Sequence, residues 1–151
     1  MNKAILSVLG QDRPGIVAAI SKILFQQNCN IENVSQTSLQ SEFAGIFIVA
    51  MPAELSLETL KNCLIDELQR LDMHVQIKPL QPQDPGGPSA KFESCVITTK
   101  GPDRKGLVAG ITEVIATHGA NITNLQAVFK GGQEPSDNIM IYEIDVPIHV
   151  E

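Results

Sequence analysis

Tryptophan is absent from this chain, tyrosine occurs once and phenylalanine five times. Such a composition cannot build the aromatic platforms on which bases stack. Basic residues are scarce too: 11 Lys and Arg against 17 Asp and Glu leave a formal net charge of −6. They are scattered rather than clustered, so direct nucleic-acid binding is not expected. Cysteine is limited to Cys29, Cys63 and Cys95, with no Cys-x-x-Cys pair. An odd, isolated set reads as reduced core residues of a cytosolic protein. His74, His118 and His149 stand apart, none beside a nucleophile in sequence. No His/Cys/Asp grouping has metal-ligand spacing, so neither a metal, a cofactor nor a catalytic residue is expected. Long apolar runs are also missing. The longest, Ile46 to Met51, falls far short of the ~20 residues a membrane helix needs. The N-terminal apolar run ends at Gly10-Gln11-Asp12-Arg13 without a small-residue cleavage site. A soluble, cytoplasmic protein is the expectation.

What the chain does contain is a duplication. Gly10-Gln11-Asp12-Arg13-Pro14-Gly15-Ile16-Val17-Ala18-Ala19-Ile20 returns as Gly101-Pro102-Asp103-Arg104-Lys105-Gly106-Leu107-Val108-Ala109-Gly110-Ile111. The two are 91 positions apart and share seven of their eleven residues. Asn30-Ile31-Glu32-Asn33 returns at the same offset as Asn121-Ile122-Thr123-Asn124. The period is too long for a stacked solenoid unit, so each copy should carry its own core. Domains this small are often marginal alone, which favours pairing of the copies or a homodimer.

The patterning predicts a strand over Lys3–Leu9, then a helix with the stripe Ile16, Val17, Ile20, Ile23 and Leu24. Pro14 is expected in its first turn. Copy two repeats the stripe as Leu107, Val108, Ile111, Val114 and Ile115. Asn28 and Gly119 suit left-handed helix termination. Strands over Ile31–Leu39 and Phe43–Met51 form a hairpin. A helix capped by Ser56 follows, with Leu57, Leu60, Leu64, Leu68 and Leu71 as its apolar positions. His74–Lys78 supplies a fourth strand. The order is the ferredoxin-like βαββαβ arrangement of the α+β class. Pro79, Pro82, Pro85 and Pro88 recur every three residues around Gly86-Gly87, a polyproline-type spacer. The expected domains are 1–80 and 91–151, joined by a linker at 81–90. Copy two has strands to Thr99, over Asn121–Phe129 and over Ile139–Val146, and a helix over Lys105–His118. It reads as incomplete after its third strand: either the chain is truncated, the reading we favour, or another chain supplies the missing packing.

The Gly-x-Asp-Arg-x-Gly loop leads from a strand into a helix N-terminus, where free N–H groups and the helix dipole suit a small carboxylate. The same loop also reads as a capped turn with Asp12 and Asp103 as N-caps. It lacks the Lys-Ser/Thr of a nucleotide loop and the three glycines of a dinucleotide loop. Asn30 and Asn121 open the next strand. An Asn amide both donates and accepts, which matches a zwitterionic amino acid, and equally suits a local backbone bond.

These motifs, the Gly-x-Asp-Arg-Pro-Gly loop with Ile16-Val17 and the Asn30-Ile31 step, each present twice, resemble the ACT domain family. Two such domains without an enzyme domain are similar to the glycine cleavage system transcriptional repressor group. The resemblance implies a ligand-sensing, non-enzymatic regulator of amino-acid metabolism or transcription acting through a protein partner, with glycine or serine as favoured ligand. It implies that Asp12, Arg13, Pro14, Gly15, Asn30 and Ile31 line one site and Asp103, Arg104, Lys105, Gly106, Asn121 and Ile122 the other. Lys105 replaces the Pro of copy one, so the sites need not share a ligand. The alternative is a ligand-independent dimerisation or interaction module. An acylphosphatase-like enzyme, using Arg13 and Asn33, is a more distant reading.

Overall fold

The computed structural model describes residues 2–82, 91–102, 105–129 and 138–150. Most of the proline-rich spacer (83–90), the loop residues Asp103 and Arg104, and residues 130–137 lie outside the described residues. The chain divides into two compact units, Met1–Gln83 and Asp84–Glu151.

The first unit runs β1 (Asn2–Gln11), α1 (Ile16–Gln26), β2 (Asn30–Leu39), β3 (Glu42–Met51), α2 (Leu57–Gln69) and β4 (Met73–Pro79). Its sheet is antiparallel throughout, in the order β2-β3-β1-β4. Alternation sends Ala4, Leu6 and Val8 of β1, and Phe43, Phe47, Val49 and Met51 of β3, into the helix layer. The helices answer with Ile16, Ile20, Ile23 and Leu24 from α1 and Leu60, Leu64 and Leu68 from α2. Val17, part of the predicted stripe, is exposed instead. Ser56 caps α2 as expected, its Oγ accepting from the Thr59 N–H at 3.1 Å. Asn28 and Gly119 both take positive φ just past α1 and the corresponding helix of the second unit.

The face away from the helices is open. Across it, Lys78, Ile5, Ile48 and Asn33 form one row, and Gln76, Ser7, Ile46 and Ser35 the next. Near one end of this face β2 carries a bulge, its register shifting between Ile31 and Asn33.

The second unit runs β5 (Phe92–Gly101), α3 (Leu107–Thr117), β6 (Asn121–Phe129) and β7 (Asn138–Pro147), in the sheet order β5-β7-β6. It carries the first four elements of the α+β pattern, including the bulge, here between Ile122 and Asn124. Its core is small: Ile115, Met140, Tyr142 and Ile144. A single helix covers it among the described residues, and the stripe pays out unevenly. Ile23 in α1 is 6% exposed, whereas its counterpart Val114 in α3 is 58% exposed. In the first unit α2 packs beside α1, and in the second no such helix lies over that flank among the described residues.

Candidate functional site

The loop between β1 and α1 is built differently from a side-chain-capped turn. The N-cap of α1 is Gly15, at φ 94° and ψ −1°. No side chain bonds to the helix's first amides, and no acidic residue lies in its first turn. The reading of Asp12 as N-cap is thereby corrected. Asp12 instead donates its backbone N–H to the Ser41 carbonyl at 2.8 Å, tying the loop to the β2–β3 turn. Pro14 precedes the cap rather than entering the first turn, and α1 starts at Ile16. The left-handed backbone requires glycine here, because a Cβ would strain it even though nothing lies within 4 Å.

Copy two repeats the geometry. Gly106 caps α3 at φ 86°, with no side-chain hydrogen bond and no acidic first-turn residue. Lys105 is exposed beside it, and Asp103 and Arg104 lie outside the described residues. Among the described residues both motif helices thus leave their positive ends uncompensated, while α2 has Ser56 and Glu58. A carboxylate is the natural complement of such an end.

Asn30 and Asn121 are exposed at the starts of β2 and β6. Ile31 and Ile122, half-buried beside them, pack on the two cores and anchor the strands. Asn121 also lines an open groove of about 650 Å³ with Thr112, Ala116 and Ala120.

Within one unit the loop and the Asn do not meet. Asn30 pairs opposite Ala50, while Gln11, where the loop begins, pairs opposite Glu42 at the other end of β3. The 11 residues of α1 separate them by about 17 Å at 1.5 Å per residue. A single amino acid spans roughly the 3.8 Å of one chain repeat. Asp12, Arg13, Pro14 and Gly15 therefore form one exposed cluster and Asn30 a separate one.

Sequence reasoning passed over one pair. Lys3 Nζ lies 2.7 Å from Glu32 Oε2 on the open sheet face. The signal was Glu32 itself, the third residue of the Asn-Ile-Glu-Asn step, which the bulge turns out of the ladder.

Among the described residues no group of three or more His, Cys, Asp or Glu is placed to hold a metal ion. Nor, among those residues, is any helix long and apolar enough to cross a membrane.

Residues 2–78 match the ACT domain family. The UPF0237 protein MK1213 of Methanopyrus kandleri is 44% identical over 71 residues, covering 46% of this chain and 74% of that protein. The UPF0237 protein MJ1558 of Methanocaldococcus jannaschii is 40% identical over 79 residues, 52% of this chain and 88% of that one. Among solved structures, an unknown protein from Galdieria sulphuraria superimposes with a TM-score of 0.79 at 23% identity, over 98% of this chain and 84% of the other. A candidate glycine cleavage system transcriptional repressor gives a TM-score of 0.71 at 18% identity, over 99% and 83%. Both share the fold of the whole chain, second unit included. With the family match spanning the first unit and the duplicated loop carrying it into the second, this chain belongs to the ACT domain family, a family of regulatory domains.

Proposed function

We propose that this protein is a non-enzymatic regulator that senses a small amino acid, glycine or serine favoured, and controls amino-acid metabolism or transcription through a protein partner. ACT domains typically bind amino acids and pair. The preference for glycine or serine rests on the fold shared with the candidate glycine cleavage repressor. The two sensor domains are 1–80 and 91–151, with 81–90 between them.

The observation that carries this reading is the bare start of α1 and α3. Each starts at a left-handed glycine and, among the described residues, has no side chain on its first amides. The ligand carboxylate takes those amides, and an Asn from a second copy of the chain takes the ammonium. Because about 17 Å of helix separates the loop from its own Asn, one unit cannot bring both to a single ligand. Binding and pairing are then linked, and the ligand shifts the assembly by its differential affinity for the two packings.

A thermal-shift screen against the twenty amino acids tests this. A ligand at 100 times its Kd adds about 2.7 kcal/mol, several degrees for domains this small. Asn30→Ala or Asn121→Ala should abolish the shift given by glycine or serine. A second reading, a ligand-independent interaction module, is favoured by the apolar side chains the second unit exposes, among them Phe92, Val96 and Val114. An unresponsive protein that still dimerises would support it and end the sensor reading.

A further inference from the structure

We propose that the first unit carries a second ligand position, on the open face of its sheet, that takes a free α-amino acid with an aliphatic side chain. It goes beyond the paired site above, because every wall belongs to one unit and none to the β1–α1 loop.

An open cavity of about 680 Å³ is lined by Lys3 of β1, Glu32 and Asn33 of β2, Ile48 of β3, and Leu80, Gln81 and Pro82 from the segment leaving β4. That volume is in the range of small-molecule sites. Two backbone features shape it. The β2 bulge makes Glu32 the extra residue of its strand, which re-aims the side chain toward Lys3. Past β4, the Leu80 N–H donates to the Lys3 carbonyl at 2.8 Å and holds that segment against the edge of β1.

The wall chemistry is that of a zwitterion site with an apolar floor. The Lys3 and Glu32 side chains are 46% and 32% exposed, so both charges remain reachable. Their contact uses one of three ammonium donors and one of two carboxylate oxygens. A ligand carboxylate can take a second Lys3 N–H while its ammonium takes the other Glu32 oxygen. The protein's two charges touch, at 2.7 Å, so the ligand's two charges must be adjacent as well. That selects an α-amino acid over an ω-amino acid or a peptide. Asn33 offers an amide to either group, and Ile48, Leu80 and Pro82 leave apolar surface that glycine would not cover.

The duplication supplies a control. The second unit keeps the bulge and the second Asn, at Asn124, but puts Ser94, Thr123 and Glu143 where the first has Lys3, Glu32 and Ile48. Ser94 bonds Asp145 at 2.7 Å and Thr123 bonds the Glu143 carbonyl at 3.1 Å. These positions are closed on themselves, with neither the exposed ion pair nor the apolar floor.

The test is calorimetric titration of the full chain with leucine, glycine, 6-aminohexanoate, leucinamide and 4-methylpentanoate. Leucine should bind, and the three analogues lacking one charge or separating the two should bind at least about tenfold more weakly, the loss of a charged hydrogen bond. Lys3→Met should remove the preference for leucine over leucinamide, and Glu32→Gln the preference for leucine over 4-methylpentanoate. Arg13→Ala and Asn30→Ala should leave leucine binding unchanged. The proposal is overturned if leucine does not bind by about 10 mM, a Kd too weak to hold a metabolite, or if the analogues bind as well. It is also overturned if Lys3→Met and Glu32→Gln bind leucine as the parent does. Glycine or serine binding lost in Asn30→Ala but kept in Glu32→Gln would sustain the paired site alone. The analogue series on the unsubstituted protein decides the matter even where a variant fails to fold.

Discussion

Gly10 and Gly101 occupy the same place in the two copies, and replacing each by alanine should act in opposite directions. A Cβ on Gly10 would stand 2.5 Å from Met73 Sδ and 2.9 Å from the Asp72 carbonyl oxygen. The sulfur can move, but the carbonyl is backbone at the start of β4, which pairs with β1 through Gly10 and Met73. Overpacking of this kind costs about 1–3 kcal/mol. Alanine recovers roughly 0.4–1 kcal/mol by restricting the unfolded chain. Gly10→Ala should therefore destabilise the first unit by about 1–2 kcal/mol. A Cβ on Gly101 meets nothing within 4 Å among the described residues, so only the second effect acts, and Gly101→Ala should stabilise the second unit by about 0.5 kcal/mol. Urea unfolding followed by far-ultraviolet circular dichroism resolves a difference of that size. Repeating Gly10→Ala in a Met73→Ala background removes the sulfur contact and should recover part of the cost, a direct reading of how much the sulfur contributes. Equal effects of Gly10→Ala and Gly101→Ala would refute the reasoning, since β4 stands beside β1 at Gly10 whereas, among the described residues, β5 pairs with β7 alone and its other edge is free of any strand.

Four other substitutions probe the same contrast and the core chemistry. Ile23→Ala should cost about 2–4 kcal/mol by leaving a cavity between α1 and α2, while Val114→Ala, at an exposed site, should stay within about 0.5 kcal/mol; paired denaturation curves check this. Tyr142 is fully buried, and its hydroxyl has no hydrogen-bond partner among the described residues. Its register position in β7 corresponds to Phe47 in β3. Tyr142→Phe should accordingly raise the melting temperature, by an amount reflecting about 1 kcal/mol or more. Burial pushes the Cys29 thiol above its ordinary value of 9.0. The fold favours the neutral thiol, so this contribution to stability is fully present below the unfolded value and is lost as pH rises through the raised one. Iodoacetamide at mildly alkaline pH should modify exposed Cys95 before Cys29, as mass spectrometry of quenched samples would show, and Cys29→Ser should flatten the alkaline limb of the stability profile.

The elements were legible because each has a local cause. The i, i+4 spacing of Leu60, Leu64 and Leu68, the cap at Ser56 and the left-handed positions Asn28 and Gly119 are short-range signals, and the structure carries all of them. Where two residues competed for one role the sequence was ambiguous. In Asp12-Arg13-Pro14-Gly15 either Asp12 or Gly15 can begin a helix, and Gly15 does so because only glycine takes the left-handed turn that leads into Ile16. The bulge left no trace in the alternation of Asn30 to Leu39, and with it the Lys3–Glu32 pair stayed hidden, since Lys3 and Glu32 are brought together across strands. Exposure was equally hidden: the stripes of α1 and α3 have the same periodicity, and only the presence of α2 decides that Ile23 is covered and Val114 is not.

The two motifs shared with the family, the loop and the Asn, present the same problem at the level of function. They recur together in both copies, and that joint recurrence suggested one site. The helix between them forbids it inside a unit: α1 starts at the loop and delivers the chain to Asn30 about 17 Å away. A rigid helix cannot be shortened to bring its two ends onto one small ligand.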